Sequence, residues 1–298
     1  MSCPPCLDRP IGGAAGWATL VAALVVCAAG SLSGEEVPFL PTADAPGLEA
    51  LSGDAIYQRV LDNRFDAYEQ DILLVSGDGV GHFSRVEVGM RYKNFREKSE
   101  RVASKTIAKY FAPPDVRHLG YLVINKNKGP DDQFVYRPSS RKVRRINVRG
   151  EAVAGTDFSF EDIVPPEFED GDHFRMPDAE VGGLPAYVVT VVPHPETESE
   201  YSKVVISVEK EHFVPIRTLY WDNKRVFIKQ LDAETGSLEG FEDVDVEGEA
   251  PKTIWIARRA QMSQVKSGHF THLDIERFVA NPRLRERDFS QRELTASR

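Results

Sequence analysis

The stretch DILLVSGDGVGHFSRVEVGMRY, residues 71–92, decides the fold. Ile72, Leu73, Leu74 and Val75 form an apolar run that ends in the turn-forming Ser76-Gly77-Asp78-Gly79, and alternation resumes after His82. In the second arm Val86, Val88, Met90 and Tyr92 fall on one side and Arg85, Glu87 and Arg91 on the other. That period of two is the pattern of a strand with one dry and one wet face. Two such arms joined by a glycine-rich turn form an antiparallel hairpin.

Outward from this hairpin the same signal repeats. Further strands are expected at Arg101 to Phe111, Leu119 to Ile124, Gln133 to Arg137, Lys142 to Ile146, Ala186 to Val192 and Lys203 to Val208. Four more are expected at Pro215 to Trp221, Arg225 to Lys229, Thr253 to Met262 and His269 to Phe278, giving about twelve in all with brief polar turns between most of them. Ser52 can cap a short helix through Leu61, with Asp54 in its first turn. No helical period follows Leu61, so the crossovers that a parallel sheet requires are missing. The sequence therefore predicts a mainly β protein built as a single antiparallel domain. The long segment from Asn147 to Gly183 interrupts the rhythm; it carries Asp157, Glu161, Asp162, Glu167, Glu169, Asp170 and Asp172, and reads as a lid or as a loop sealing the core.

Before the fold lies an export signature. The apolar run from Ala14 to Ala29 follows Arg9 and ends in Ala28, Ala29 and Gly30, which reads as a signal peptide over residues 1–30. An uncleaved membrane anchor is the alternative, because the run approaches the ~17 residues that can span a bilayer. Residues 31–47, with Pro38, Pro41 and Pro46, read as a flexible linker, and residues 48–298 as the β domain. All three cysteines, Cys3, Cys6 and Cys27, precede the linker, so thiolate catalysis and thiolate metal sites are excluded from the domain.

Of the 298 residues 41% are hydrophobic and 28% charged, as in a folded chain with a sizeable core. The net charge of -9 argues against nucleic acid as a partner. Neither a zinc-hydrolase His-Glu-x-x-His nor a Gly-x-Ser-x-Gly elbow occurs. His269 and His272, three apart in a strand, face opposite ways and read as surface histidines. No metal or cofactor is expected, and no catalytic residue is assigned.

Two features do ask for an explanation. Arg141, Lys142, Arg144 and Arg145 form a basic stripe in an acidic protein, suited either to internal salt bridges with the acidic segment or to an anionic partner. Late strands carry large apolar residues on both faces, as in Leu219-Tyr220-Trp221, Val226-Phe227-Ile228 and Ile254-Trp255-Ile256, so something must cover the second face.

Several landmarks together resemble the bacterial outer-membrane lipoprotein-sorting family, in its long LolA-like branch. They are Pro113-Pro114-Asp115-Val116-Arg117, then Asp131-Asp132-Gln133-Phe134-Val135-Tyr136-Arg137-Pro138, the basic stripe through Ile146, and Gly155-Thr156-Asp157-Phe158-Ser159-Phe160-Glu161-Asp162. The resemblance runs from about Ser52 to the C-terminus. It implies a half-open, curved antiparallel sheet, an incomplete barrel with short helices and a lid over an apolar cavity. It also implies a periplasmic carrier, without enzymatic activity, that shields acyl chains of lipids or lipoproteins in transit between membranes. Phe134, Tyr136, Trp221, Phe227 and Trp255 are the expected cavity residues, and Phe158, Phe160 and Ile163 the expected lid residues. An inner-membrane lipid-export permease is the implied partner, and a monomer the expected state. A non-transporting sensor or accessory subunit of such a permease is the alternative; the arginine that latches the lid in the family matches no single position here.

Overall fold

In the computed structural model, residues 39–48, 50–128, 131–146 and 150–296 are described, with the backbone alone at residue 97. The expected signal peptide over 1–30, and the linker as far as Pro38, lie outside them. A first helix, α1 (Gly53–Asp62), precedes β1 (Ala67–Gly77), β2 (Phe83–Asn94), β3 (Val102–Ala112), β4 (Gly120–Lys126), β5 (Asp132–Arg137) and β6 (Lys142–Ile146). After a long connection come β7 (Gly171–Val181), β8 (Leu184–Pro193), β9 (Tyr201–Glu209), β10 (Pro215–Asp222) and β11 (Phe227–Ala233). The chain ends with β12 (Leu238–Val244), β13 (Lys252–Ala257), β14 (Arg259–Gln264), β15 (Phe270–Ala280) and a one-turn α2 (Gln291–Thr295).

Thirteen strands form one antiparallel sheet in the order β6-β5-β4-β3-β2-β1-β15-β14-β11-β10-β9-β8-β7, and β12 and β13 pair as a separate hairpin. Two meanders thus meet where the last strand, β15, inserts beside the first. Register shifts at Asp71/Ile72, Glu87/Val88, Met176/Ala179 and Tyr220/Trp221 mark bulges, which bend a sheet locally and add to its twist. The sheet curves without closing into a barrel, so β6 and β7 remain as edges. β6 is blunted by the exposed Lys142, Arg144 and Arg145, charges that disfavour pairing with another chain.

Both faces are covered, which accounts for apolar residues on both sides of a strand. On one face, called inner here, α1 lies over β8 and β9, with Ile56 and Tyr57 packed on Val189, Val191 and Val208. The rest of that face gathers Ile72, Leu74, Val86, Val88, Tyr110, Tyr121, Val123 and Met262 around the 150–166 segment. On the outer face Leu284, Phe289 and Leu294 of the C-terminal segment cap Ile107 and Leu122. The same segment brings Glu286 to Lys105 at 2.7 Å and Glu293 to Arg91 and Lys109 at 3.3 Å. All of these clusters lie within Phe39–Arg298, a compact unit that holds the elements packing against one another.

The β1–β2 hairpin matches its expected form: Val86, Val88, Met90 and Tyr92 are buried, and Asp71 to Gly77 pairs with Phe83 to Gly89. Three sequence readings need correction. The supposedly strandless stretch from Asn147 to Gly183 contains β7, which escaped notice because an edge strand with one neighbour tolerates Pro177 and the charges around it. β12 has no counterpart among the strands expected from the sequence, because it lies in an acidic stretch with little apolar alternation. The single strand expected from Thr253 to Met262 is two, because β13 pairs with β12 whereas β14 pairs with β11 and β15. In addition, residues 39–47, read as part of a flexible linker, are attached to the fold: the Ala45 amide donates to the Arg175 carbonyl at 2.7 Å, and Asp44 Oδ1 accepts from the Arg175 amide at 2.5 Å.

The start of α1 meets β7 backbone to backbone. Ser52 caps the helix, its hydroxyl accepting from the Ala55 amide at 3.2 Å, and a Cβ on Gly53 would fall 2.4 Å from the His173 carbonyl oxygen. Gly53→Ala is expected to cost about 1–3 kcal/mol by forcing α1 off the sheet. Urea unfolding checks this, and an unchanged midpoint would show that the helix can shift freely.

Candidate functional site

Between β6 and β7 the chain crosses the inner face. Residues 151–160 form a small hairpin of their own: Ala152 bridges Ser159, the Val153 amide donates to the Phe158 carbonyl at 2.8 Å, and the Phe160 amide to the Glu151 carbonyl at 3.1 Å. Its turn places Ala154 and Gly155 at φ 49° and 75°, the left-handed conformation of tight hairpin turns. Among the described residues, no strand ladder joins this segment to the sheet. Val153 and Phe158 are buried against the inner-face core, and Phe160 lies 4.4 Å, ring centre to ring centre, from Tyr121.

Polar latches hold it in place, and each uses one of its carboxylates. Asp157 accepts from Thr271 Oγ1 at 2.7 Å and lies 2.7 Å from His269 Nδ1, while its own amide donates to Thr271 Oγ1 at 3.0 Å. Ser76 Oγ, 2.8 Å from the same threonine hydroxyl, extends this chain of bonds into β1. Glu161 accepts from the Ser199 hydroxyl and from the Glu200 amide, the latter at 2.9 Å. Glu167 at the far end pairs with Arg64 and Arg96 and accepts from Asn125 Nδ2 at 3.0 Å.

The central latch is Asp162. Its carboxylate lies 2.5 Å from Lys229 Nζ, accepts from the Tyr201 hydroxyl at 2.7 Å and from the Ser159 amide at 2.7 Å, and the two charged side chains are only 5% and 2% exposed. Lys229 Nζ also stands 5.3 Å and 5.2 Å from the ring centres of Tyr201 and Tyr220, whose faces attract a cation. Burial, and then the Asp162 carboxylate, raises the Tyr201 hydroxyl far above the usual phenol range, so it remains a donor to that carboxylate. A buried pair is held only when its remaining valences are met; here both carboxylate oxygens accept hydrogen bonds, and the ammonium faces two aromatic rings.

The segment divides the inner hollow into two clefts. One, of about 380 Å³, lies between α1 and the segment, with Tyr57, Val60, Val191, Val204, Ile206 and Tyr220 among its walls and Glu161, Asp162 and Val164 along one side. The other, of about 320 Å³, is walled by Phe65, Tyr68, Tyr92, Ile256, Ile275 and Phe278, with Asp162, Ile163 and Val164 again on its boundary. Asp162 and Val164 to Pro166 line both. These volumes fall at the lower end of the range for small-molecule sites.

The expected site residues are not brought together. Phe134 and Tyr136 pack on the outer face under the C-terminal segment, because alternation in β5 sends Val135, not its neighbours, inward. Trp221 and Phe227 contact each other with ring centres 5.1 Å apart, and Lys203 stands 4.5 Å over Trp221; neither aromatic lines either of these two clefts. Trp255 stacks on His212 at 3.8 Å, turned away from Ile254 and Ile256. Phe158, Phe160 and Ile163 do sit on the inner face. In the basic stripe Arg145 pairs with Asp132 of the neighbouring strand, while Arg141, Lys142 and Arg144 are exposed, so the acidic segment does not receive them. The sequence reading missed Lys229, Tyr201 and Thr271 as latch residues, and it took His269 for a surface group. A lysine at the centre of Phe227-Ile228-Lys229-Gln230-Leu231 was the available signal, since an inward cation must find an anion. Among the described residues, no cluster of three or more metal-ligating side chains occurs.

This architecture, a curved and unclosed antiparallel sheet with a segment folded across its hollow, is the LolA-like fold. The chain superposes on a domain described as outer-membrane lipoprotein-sorting from Vibrio parahaemolyticus with a TM-score of 0.70 and 20% identity, covering 82% of this chain and 98% of that one. A DUF1329 family protein from Desulfovibrio piger gives 0.69 and 21%, covering 81% and 98%. A LolA superfamily protein from Nitrosomonas europaea gives 0.60 and 16%, covering 82% and 99%. A search of curated proteins finds no match. Within this fold the chain belongs to the family whose model, described as an uncharacterized protein, matches residues 103–296.

Removing one partner of the central latch leaves the other charge buried alone, so Lys229→Met is expected to cost about 3–5 kcal/mol. Adding Asp162→Leu should recover most of that loss, because the pair is replaced as a unit. Chemical denaturation of the two single variants and the double variant reads this directly. Additive losses would mean that the ion pair is not what couples segment to sheet.

Proposed function

We propose that the protein is a periplasmic carrier that holds acyl chains of lipids or lipoproteins between the inner face of the sheet and the 150–166 segment, which acts as a lid. The observation that carries this reading is the manner of attachment. The segment covers apolar clefts yet is joined to the sheet by a few side-chain latches instead of a strand ladder, so it can leave as a unit without unpairing the sheet. Lifting it would join the two clefts, which it now separates. Phe158 and Phe160 would then vacate apolar wall that a hydrocarbon tail can take over.

Energetics suit binding without covalent chemistry. At about 0.8 kcal/mol per buried methylene, a chain of about sixteen carbons offers roughly 10 kcal/mol before the costs of ordering are subtracted. Asp157, Glu161 and Asp162, the lid carboxylates that face the sheet and that a hydrolase would need free, are engaged in holding it. Lipoprotein sorting in the description of the Vibrio domain agrees with this reading. So does the expected signal peptide over 1–30. We place the carrier in the periplasm as a monomer and assign it a lipid-export permease of the inner membrane as its delivering or receiving partner.

Organic extracts of the protein purified from the periplasm, examined by mass spectrometry, should contain acyl lipids. The purified protein should also move fluorescent lipid from donor to acceptor vesicles. Val204→Trp, which fills the larger cleft from β9, should reduce bound lipid and transfer together by tenfold or more while the protein stays folded. Binding without transfer would identify a sensor, and extracts free of lipid, with no uptake by the purified protein, would contradict the proposal.

A further inference from the structure

Five large apolar side chains are exposed among the described residues, and four of them project from neighbouring turns at one end of the central strands. Val80 is 79% exposed and Phe83 68% exposed at the β1–β2 turn, Val226 53% at the β10–β11 turn and Val265 51% at the β14–β15 turn. The hairpins that bear them are adjacent in the sheet order β2-β1-β15-β14-β11-β10. Adjacent strands lie about 4.8 Å apart, so the three tips fall within about 25 Å. Direct contacts confirm the grouping: Gly77 pairs with both Phe83 and Phe270, and the Val265 amide donates to the Ile228 carbonyl at 2.9 Å.

Cations accompany them. Lys224, Arg225 and Lys266 are exposed at the same turns, and among the described residues none of the three has a carboxylate partner. The carboxylates at these turns bond the turn backbone and not the cations. Asp78 bonds the His82 ring and the turn amides of Val80 and His82, and Asp222 accepts from the amides of Lys224 and Val226. The turns themselves are tightly wound, with Gly81, Arg225 and Gly268 at φ 94°, 64° and 68°. Apolar tips held by tight turns, with three cations free of carboxylate partners against the two carboxylates Asp78 and Asp222, are therefore concentrated at one end of the strands in a protein whose net charge is -9.

We propose that these three turns form a membrane-docking edge, whose cations meet anionic headgroups while Val80, Phe83, Val226 and Val265 enter the boundary between headgroups and acyl chains. A protein partner would be expected to offer an apolar recess its own shape fits. Here the side chains stand on convex tips, a form suited to insertion between lipids, and the charge around them complements an anionic surface. The edge also adjoins the lid: His269 of the β14–β15 turn bonds Asp157, and Ser199, whose carbonyl accepts from Asn223 of the β10–β11 turn, bonds Glu161. Docking there would bring the lid's outer end to the lipid surface. The docking edge stands on exposure and charge, independently of what the clefts hold.

The test uses residues 39–298, the unit that contains the packed clusters, so that the apolar run at 14–29 does not itself bind lipid. Co-flotation is measured with vesicles of phosphatidylcholine alone and of phosphatidylcholine mixed with phosphatidylglycerol. Binding is expected to the mixed vesicles, to fall with added salt, and to weaken roughly fivefold for each cation removed in Lys224→Gln, Arg225→Gln and Lys266→Gln. The pair Val80→Ser and Phe83→Ser, both on exposed positions that carry no core packing, should abolish insertion with no change in the unfolding midpoint. Equal binding to both vesicles, absence of binding to either, or binding that the edge variants leave unchanged would overturn the proposal. Retention on an acidic protein without flotation would likewise overturn it in favour of a protein partner.

Discussion

The ion pair between Lys229 and Asp162 is the constraint around which the inner face is organised. An ammonium in the middle of β11 points into the hollow, where a lone charge would cost several kcal/mol, and the only way to keep it there is to bring an anion across the hollow to meet it. The connection from β6 to β7 supplies that anion, and it must therefore cross the inner face instead of running outside. Tyr201 and the Ser159 amide complete the coordination of the carboxylate, so the pair is satisfied but confined to one geometry. Everything else about the segment follows from that placement: Phe158 and Phe160 are pressed into the core, and the hollow is split into two clefts that share Asp162 and Val164 to Pro166 as a wall.

A latch made of charge has a property that hydrophobic packing lacks. Its strength depends on water being kept out, so partial lifting of the segment weakens it further as solvent enters and the local dielectric rises. Opening of the proposed lid would then be cooperative. The bonds around Asp157 and Glu167 at either end of the segment stabilise the closed form without adding apolar area that would have to be exposed on opening. The price of this arrangement is a set of buried polar groups in a protein interior, tolerable only because each has a partner.

Much of the sheet was legible in the sequence because alternation reports burial on a single face. The β1–β2 hairpin is the plainest case: both arms and the buried set from Val86 to Tyr92 were readable from period and turn chemistry alone. Legibility failed where burial was not one-sided. Phe134, Tyr136 and Trp221 have large rings in strands, and nothing local says whether such a ring faces a cavity or lies under a covering segment. The cover for Phe134 and Tyr136 comes from Leu284, Phe289 and Leu294, more than a hundred residues away in sequence, and only tertiary structure joins them. β7 was hidden for a different reason, since an edge strand under a helix needs little apolar character. Lys229 was visible but unread: its position within an apolar strand was itself the sign of a buried charge, and the acidic segment held the matching anion. The central latch of the 150–166 segment is Lys229 of the sheet, whereas arginines, Arg64 and Arg96, hold Glu167 at its far end.

A lid of the kind proposed must yield to an acyl chain at residues 150–166. A crystal structure of the protein loaded with a long-chain fatty acid tests it most directly. Hydrocarbon is expected between Tyr57, Val204 and Tyr220, with the segment displaced and Lys229 parted from Asp162. Hydrocarbon bound elsewhere, or a segment still latched over a filled cleft, would contradict it.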